Sequence, residues 1–140
     1  MIFTPEERQR YARHLDLPGF GSHAQERLRA GRVLVVGCGG LGSPALFYLA
    51  AAGVGRLGLM DPDLVELSNL QRQILHATPD IGRPKIDSAV ARLRALNPHV
   101  RLAPHAGPLD AGNARDLFAP YDIILDCTDN FAAKYLISDT

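Results

Sequence analysis

Four sets of residues in this chain have the types and spacing to do chemistry: Gly37, Gly39, Gly40 and Gly42; Asp61; the run Ser68-Asn69-Leu70-Gln71-Arg72-Gln73 with Lys85; and Asp129-Asn130. The glycines follow a G-x-G-x-x-G spacing, with Gly40 added. Where such a turn leads from a strand into a helix, the backbone can approach phosphate oxygens, and the helix start offers unpaired N–H groups and positive dipole. Asp61 lies where a dinucleotide-binding fold sets an acid that accepts from a ribose hydroxyl. Asn69, Arg72 and Gln73 recur at three- and four-residue steps. A short helix capped by Ser68 would carry them on one face, with Leu70, Ile74 and Leu75 on the other. Lys85 falls in a first helical turn, where the helix dipole disfavours a cation unless an anion is near. A phosphate cradle, a ribose acid, two cations and a second carboxylate suit a nucleoside triphosphate. Arg72 and Lys85 would take its charge and Asp129 would hold Mg²⁺, which points to nucleotidyl or phosphoryl transfer.

The elements that must position these groups are legible around them. Val33–Val36 is an aliphatic run suited to a strand buried on both faces, and it runs straight into Gly37. A helix follows from Ser43 to Ala52, with Pro44 in its first turn and Gly53 as its stop. A second strand, 55–60, ends on Asp61. A longer helix runs from Lys85 to Leu96, and a third strand covers His99–Ala103. A helix over 110–118 and a fourth strand, 121–126, lead into Cys127-Thr128-Asp129-Asn130 and a last helix from Phe131. Strands alternating with helices predict a Rossmann-like, doubly wound α/β fold: a mainly parallel sheet in the order 3-2-1-4, with helices on both faces. The carboxyl ends of strands one, two and four would then share a crevice. Ahead of this fold, residues 1–31 form a helical extension. Thr4, Pro5 and Glu7 start a helix over 4–17, and Ser22 with Gln25 starts a second. Residues 32–140 form the nucleotide-binding domain.

Composition narrows the classes. Fifteen basic and fifteen acidic side chains cancel, so no bulk field argues for nucleic acid or an anionic membrane. No apolar run approaches the ~18 residues of a membrane span. Cys38 and Cys127 are far apart and neither belongs to a C-x-x-C pair, which predicts no zinc site within the chain and a reducing, cytoplasmic setting. A nicotinamide-dependent oxidoreductase would share the glycine turn and Asp61, but has little use for Asn69, Arg72, Lys85 and a free acid at Asp129. A non-catalytic interaction module is the third reading.

The ordered set Gly37-Cys-Gly-Gly-Leu-Gly-Ser43, Ala51-Ala-Gly-Val-Gly55, Asp61, Ser68-Asn-Leu-Gln-Arg-Gln73, Gly82-Arg-Pro-Lys85, Asn97-Pro98 and Asp126-Cys-Thr-Asp-Asn130 resembles the ThiF/MoeB/HesA family. These adenylyltransferases are similar to the adenylation domain of ubiquitin-activating enzymes. Arg10-Tyr-Ala-Arg13 resembles the family's amino-terminal helix, so the likeness runs from about residue 8 to 138. It implies that the carboxyl-terminal glycine of a ubiquitin-like sulfur-carrier protein, of molybdopterin or thiamine biosynthesis type, attacks the α-phosphate of MgATP. The products would be an acyl-adenylate and pyrophosphate. By motif match, Gly40 lies against the phosphates with Gly37, Gly39 and Gly42. Asp61 holds the ribose, Asn69, Arg72 and Lys85 contact phosphate oxygens, and Asp129 binds the metal. Ser68, Leu70, Gln71 and Asn130 complete the nucleotide pocket. Arg13 matches an arginine that reaches a partner's site, which implies a homodimer. The family usually continues for a further hundred residues or more with the remaining strands, the carrier surface and often a paired C-x-x-C zinc site, so the resemblance implies either the amino-terminal nucleotide-binding part of such a protein or a divergent short member.

Overall fold

A computed structural model describes residues 2–140. Its four strands, β1 (Arg32–Val36), β2 (Arg56–Met60), β3 (Arg101–His105) and β4 (Ile123–Asp126), form one parallel sheet in the order β3-β2-β1-β4. This is the doubly wound arrangement that the alternation of elements predicts. Helices α1 (Pro5–Arg10), α2 (Ala12–Leu15) and α3 (Gly21–Ala30) precede β1. Then α4 (Gly42–Ala52), α5 (Lys85–Leu96), α6 (Ala114–Phe118) and α7 (Phe131–Asp139) follow among and after the strands.

The period of two along each strand divides the core between the sheet's faces. Val33, Val35, Leu57 and Leu59 pack against Leu46 and Ala50 of α4 and Ile86, Ala89 and Leu93 of α5. Leu34 and Val36 face the other way, toward Tyr121, Phe118 of α6 and Ile137 of α7. Helix α4 ends at Gly53, whose φ of 86° takes the left-handed conformation common at helix stops.

The amino-terminal region differs in detail from the sequence reading. The expected helix over 4–17 begins with the Thr4–Glu7 capping box but breaks at Tyr11. Tyr11 is buried, and its Oη accepts from Asn97 Nδ2 at 2.8 Å. Nor does Gln25 serve as part of a cap: α3 starts at Gly21, and Gln25 is only 1% exposed. It donates to the Ala52 carbonyl at 2.7 Å and accepts from His14 Nδ1 at 2.9 Å. Its amide ties the early helices to the end of α4. Tertiary contact, not local propensity, sets both features. β3 begins two residues later than the pattern suggests, and α6 is shortened because the Asp110 carboxylate accepts from the Gly112 and Asn113 N–H groups and holds a turn.

Candidate active site

A crevice of about 600 Å³ opens at the carboxyl edge of the sheet. Three strand ends build its floor. Gly37 leaves β1 at a φ of 103°, and a Cβ there would meet the Cys127 carbonyl oxygen at 2.5 Å. At Gly42, a Cβ would lie 1.8 Å from the Gly37 oxygen. Only glycine lets the turn fold this tightly beneath α4. The turn is latched to its neighbours: Gly37 N–H donates to Met60 O at 2.8 Å, and Cys127 N–H donates to Val36 O at 2.9 Å. The N–H groups of Gly39 and Gly40 have no acceptor among the described residues, which leaves two donors beside the start of α4.

Asp61 directly follows β2 at 8% exposure, and both its carboxylate oxygens are engaged by backbone. Oδ2 accepts from Cys38 N–H and Oδ1 from Asp63 N–H, each at 2.9 Å. It therefore braces the glycine turn as well as lining the crevice. A carboxylate oxygen has a second lone pair, so a ribose hydroxyl can still donate to it. Beyond Asp61 the chain doubles back through an isolated antiparallel bridge between Leu64 and Pro84. Hydrogen bonds from Val65 N–H to Arg83 O and from Gly82 N–H to Val65 O, each 2.8 Å, close that clasp. The clasp sets buried Lys85 beside exposed Asp63, with Nζ 3.9 Å from Oδ2. Here is the nearby anion that the unusual first-turn lysine called for.

The segment after Ser68 is not the short helix expected. A 3₁₀ turn over Leu67–Asn69 passes into irregular turns, so Asn69, Arg72 and Gln73 do not share one face. Asn69 is buried, and its Oδ1 accepts from Glu66 N–H at 2.9 Å. Arg72 and Gln73 line the crevice; Ser68, Asn69, Leu70 and Gln71 do not. Leu75 is buried as the pattern predicts, whereas Ile74 is 53% exposed. Gln73 sits under the glycine turn with a buried Oε1 that has no hydrogen-bond partner among the described residues. The sequence pattern put it on a polar face without a role.

The turn also rests on His76, which spacing did not single out. Its Nε2 donates to the Cys38 carbonyl at 2.9 Å, and its Nδ1 lies 2.8 Å from Ser88 Oγ. Burial pushes the imidazole below its usual range and keeps it neutral. Burial likewise raises the thiols of Cys38 and Cys127, so neither is a ready nucleophile.

On the β4 side, Cys127, Thr128, Asp129 and Asn130 line the crevice. Asp126 is turned away into a local network. Burial opposes its ionisation, but the Thr128 hydroxyl and N–H and the Lys134 ammonium hold it below the usual carboxylate range. Asp129 is exposed at the rim. Asn130 caps α7, its Oδ1 accepting from Ala133 N–H at 2.8 Å. Gly37, Gly39, Gly40, Asp61, Arg72, Lys85, Asp129 and Asn130 thus meet in one crevice, joined by Asp63 and Gln73. Gly42 lies buried behind the turn, and Arg13 is exposed on α2, outside the crevice.

A crevice where a glycine turn, a β2-end acid and a β4-end carboxylate meet defines a nucleotide-binding α/β domain. The ThiF family profile matches residues 11–140, and the chain belongs to that family. It is 54% identical over 135 residues to the adenylyltransferase and sulfurtransferase uba4 of Aspergillus terreus, covering 96% of this chain and 28% of that protein. It is also 54% identical over 134 residues to the probable adenylyltransferase/sulfurtransferase MoeZ of Mycobacterium tuberculosis, covering 96% of this chain and 34% of that protein. The chain therefore spans about a third or less of the length of these relatives. Among solved structures, it superposes on the E. coli tRNA N6-threonylcarbamoyladenosine dehydratase TcdA in complex with ATP with a TM-score of 0.91. There the identity is 28%, over 98% of this chain and 56% of that one.

Proposed function

We propose that this chain is the nucleotide-binding part of an adenylyltransferase that activates the carboxyl-terminal glycine of a ubiquitin-like sulfur-carrier protein. One observation carries the reading: the open glycine turn, Asp61, the Arg72 and Lys85 cations and Asp129 all face one crevice at the carboxyl edge of the sheet. ATP enters with its ribose hydroxyls toward Asp61 and its phosphates under the Gly39 and Gly40 N–H groups. Arg72 and Lys85 neutralise the phosphate oxygens. The carrier's carboxylate oxygen attacks the α-phosphorus, the bond to the bridging oxygen breaks, and pyrophosphate leaves with that electron pair. Because the nucleophile is already a carboxylate, no general base is needed. Positioning and charge neutralisation supply the catalysis.

The donor set fits a Mg²⁺ ion that arrives with the nucleotide. Such sites use one or two carboxylates together with phosphate oxygens and water, and Asp129 is a rim carboxylate with no cation pairing it among the described residues. When bound there, the ion would offset charge developing on the departing pyrophosphate. Arg13, exposed and without an ion pair among the described residues, is suited to reach the crevice of a second copy, which makes the functional unit a homodimer with residues 1–31 as its arm. The level of identity to two relatives named as adenylyltransferases and sulfurtransferases favours a sulfur carrier over the RNA base named for TcdA. The test is exchange of labelled pyrophosphate into ATP in the presence of a carrier ending in Gly-Gly. Exchange that needs the carrier and disappears in Asp129→Ala supports the reading. Exchange undiminished in that variant overturns it.

A further inference from the structure

A second cleft, about 420 Å³, lies at the opposite, amino edge of the sheet, roughly a strand's length of ~13 Å from the nucleotide crevice. Its walls carry Arg29, Arg32, Arg56 and Arg101 against a single carboxylate, Glu7, with His99 at one side. Three of these arginines are in register: Arg32 pairs with Arg56 across β1–β2, and Arg56 with Arg101 across β2–β3. Residues in register on neighbouring parallel strands point to the same face, so three guanidinium groups start side by side at strand spacing. Like charges directly opposite one another destabilise a sheet unless something offsets them.

The protein offsets only part of this charge. Arg29 is paired with Glu7, and Arg32 is held by Asp122 through Nη2 at 2.7 Å and Nε at 3.2 Å. Arg101 has no carboxylate partner among the described residues. Arg56 has none either; its guanidinium lies 5.4 Å from the centre of the Tyr121 ring, and its buried Nε has no hydrogen-bond partner among the described residues. The Nε is sealed from solvent, and the neutral Tyr121 phenol beside the guanidinium brings no counter-charge, so the positive charge that Arg56 and Arg101 place on the cleft wall is offset by no carboxylate of the described residues. The cleft falls in the size range of small-molecule sites, and a fork of planar donors matches phosphate oxygens in bidentate geometry.

We propose that this amino-edge cleft binds a small, multiply charged phosphate-type anion through Arg56 and Arg101, separately from the ATP crevice. The anion can be free, as pyrophosphate or phosphate, or can be carried on a nucleotide; both present the same oxygens. The proposal stands independently of the adenylation chemistry.

The experiment follows backbone amide and arginine Nε–Hε signals of the chain by NMR during separate titrations with metal-free sodium pyrophosphate and with MgATP. Saturable shifts at Gly31, Gly55 and Arg101 and at Arg56 Nε–Hε, alongside any at Gly37–Gly42, are expected with pyrophosphate. Arg101→Gln, an exposed change that leaves the core intact, should weaken the amino-edge response about tenfold while leaving the response at Gly37–Gly42 unchanged. Arg32→Gln serves as a second variant and should weaken it less, because Arg32 is already paired. If only MgATP moves these signals, saturably and with the same Arg101 dependence, the anion is one carried on a nucleotide. Three results would overturn the proposal: no saturable shift up to millimolar anion, a shift indifferent to Arg101→Gln, or saturation by an acidic peptide and not by pyrophosphate. The last would reassign the cleft to a protein partner.

Discussion

Replacing Lys85 with Met separates what the lysine does for nucleotide binding from what it does for the fold. Lys85 is 6% exposed, and its ammonium lies 3.9 Å from a carboxylate oxygen of Asp63, whose side chain is 68% exposed. At that distance, opposite unit charges attract by about 4 kcal/mol at an effective dielectric of about 20. Water around Asp63 screens most of this, so the pair contributes no more than about 1 kcal/mol. Removing the charge leaves Asp63 solvated and relieves the burial of an ammonium, so the melting temperature should hold or rise. The binding side is different. A phosphate oxygen on Lys85 gains a charge-assisted hydrogen bond worth roughly 1.5–3 kcal/mol, and its loss weakens MgATP binding by roughly 10- to 150-fold. The sign reverses at the neighbour. Asp63→Asn removes a carboxylate that competes with phosphate for the ammonium and should tighten binding by up to about fivefold. Calorimetric titration of the three proteins with MgATP, beside thermal melts, reads all of this. If Lys85→Met binds MgATP within twofold of the parent, or if Asp63→Asn binds more weakly, the assignment of Lys85 to the phosphates is wrong.

The glycine turn gives a contrasting pair. Gly42→Ala drives a methyl group into the Gly37 carbonyl and should cost roughly 1–3 kcal/mol in urea unfolding. Gly40→Ala meets nothing nearer than Arg72 Cδ at 3.8 Å, so it should keep its stability and lose MgATP affinity through the bulk added where phosphates approach. Asn97, fully buried, donates to Tyr11 Oη and to Ala50 O at 2.8 Å and accepts from His99 N–H at 3.1 Å. Asn97→Ala leaves these groups unpaired, and unfolding should show a loss of roughly 1–3 kcal/mol. The His76 imidazole is held below its ordinary value of about 6.5 mainly by burial. The unfolded chain therefore binds a proton that the native state refuses, so stability should fall as pH drops below about 6.5 toward the native value. His76→Gln should flatten that part of a stability–pH profile, and an unchanged slope would remove His76 as its source.

What the sequence conveyed, and what it did not, follows from how local each signal is. The β1–glycine turn–α4 unit was readable because the aliphatic run, the glycine spacing and the helix stop at Gly53 are contiguous, and the parallel order followed from the alternation of elements. Asp61 and Asp129 reached the crevice because strand ends in a doubly wound sheet converge there. The run after Ser68 was misread because its three- and four-residue spacing mimics a helix, whereas Asn69 turns inward to hold Glu66 N–H. The break at Tyr11 depends on Asn97, 86 residues away, and no local pattern reports such a contact. The partnering of Lys85 by Asp63 likewise depends on the Leu64–Pro84 bridge. The arginine ladder was invisible for the same reason: Arg32, Arg56 and Arg101 become neighbours only through strand register.

Calorimetric titration of the chain with MgATP and, separately, with NAD, each repeated on Asp129→Ala, tests most directly whether the crevice at the carboxyl edge of the sheet takes MgATP. Saturable, metal-dependent ATP binding that weakens in the variant is expected, with no comparable heat from NAD. Binding of NAD in preference to ATP, or ATP binding indifferent to both the metal and Asp129, would contradict that expectation.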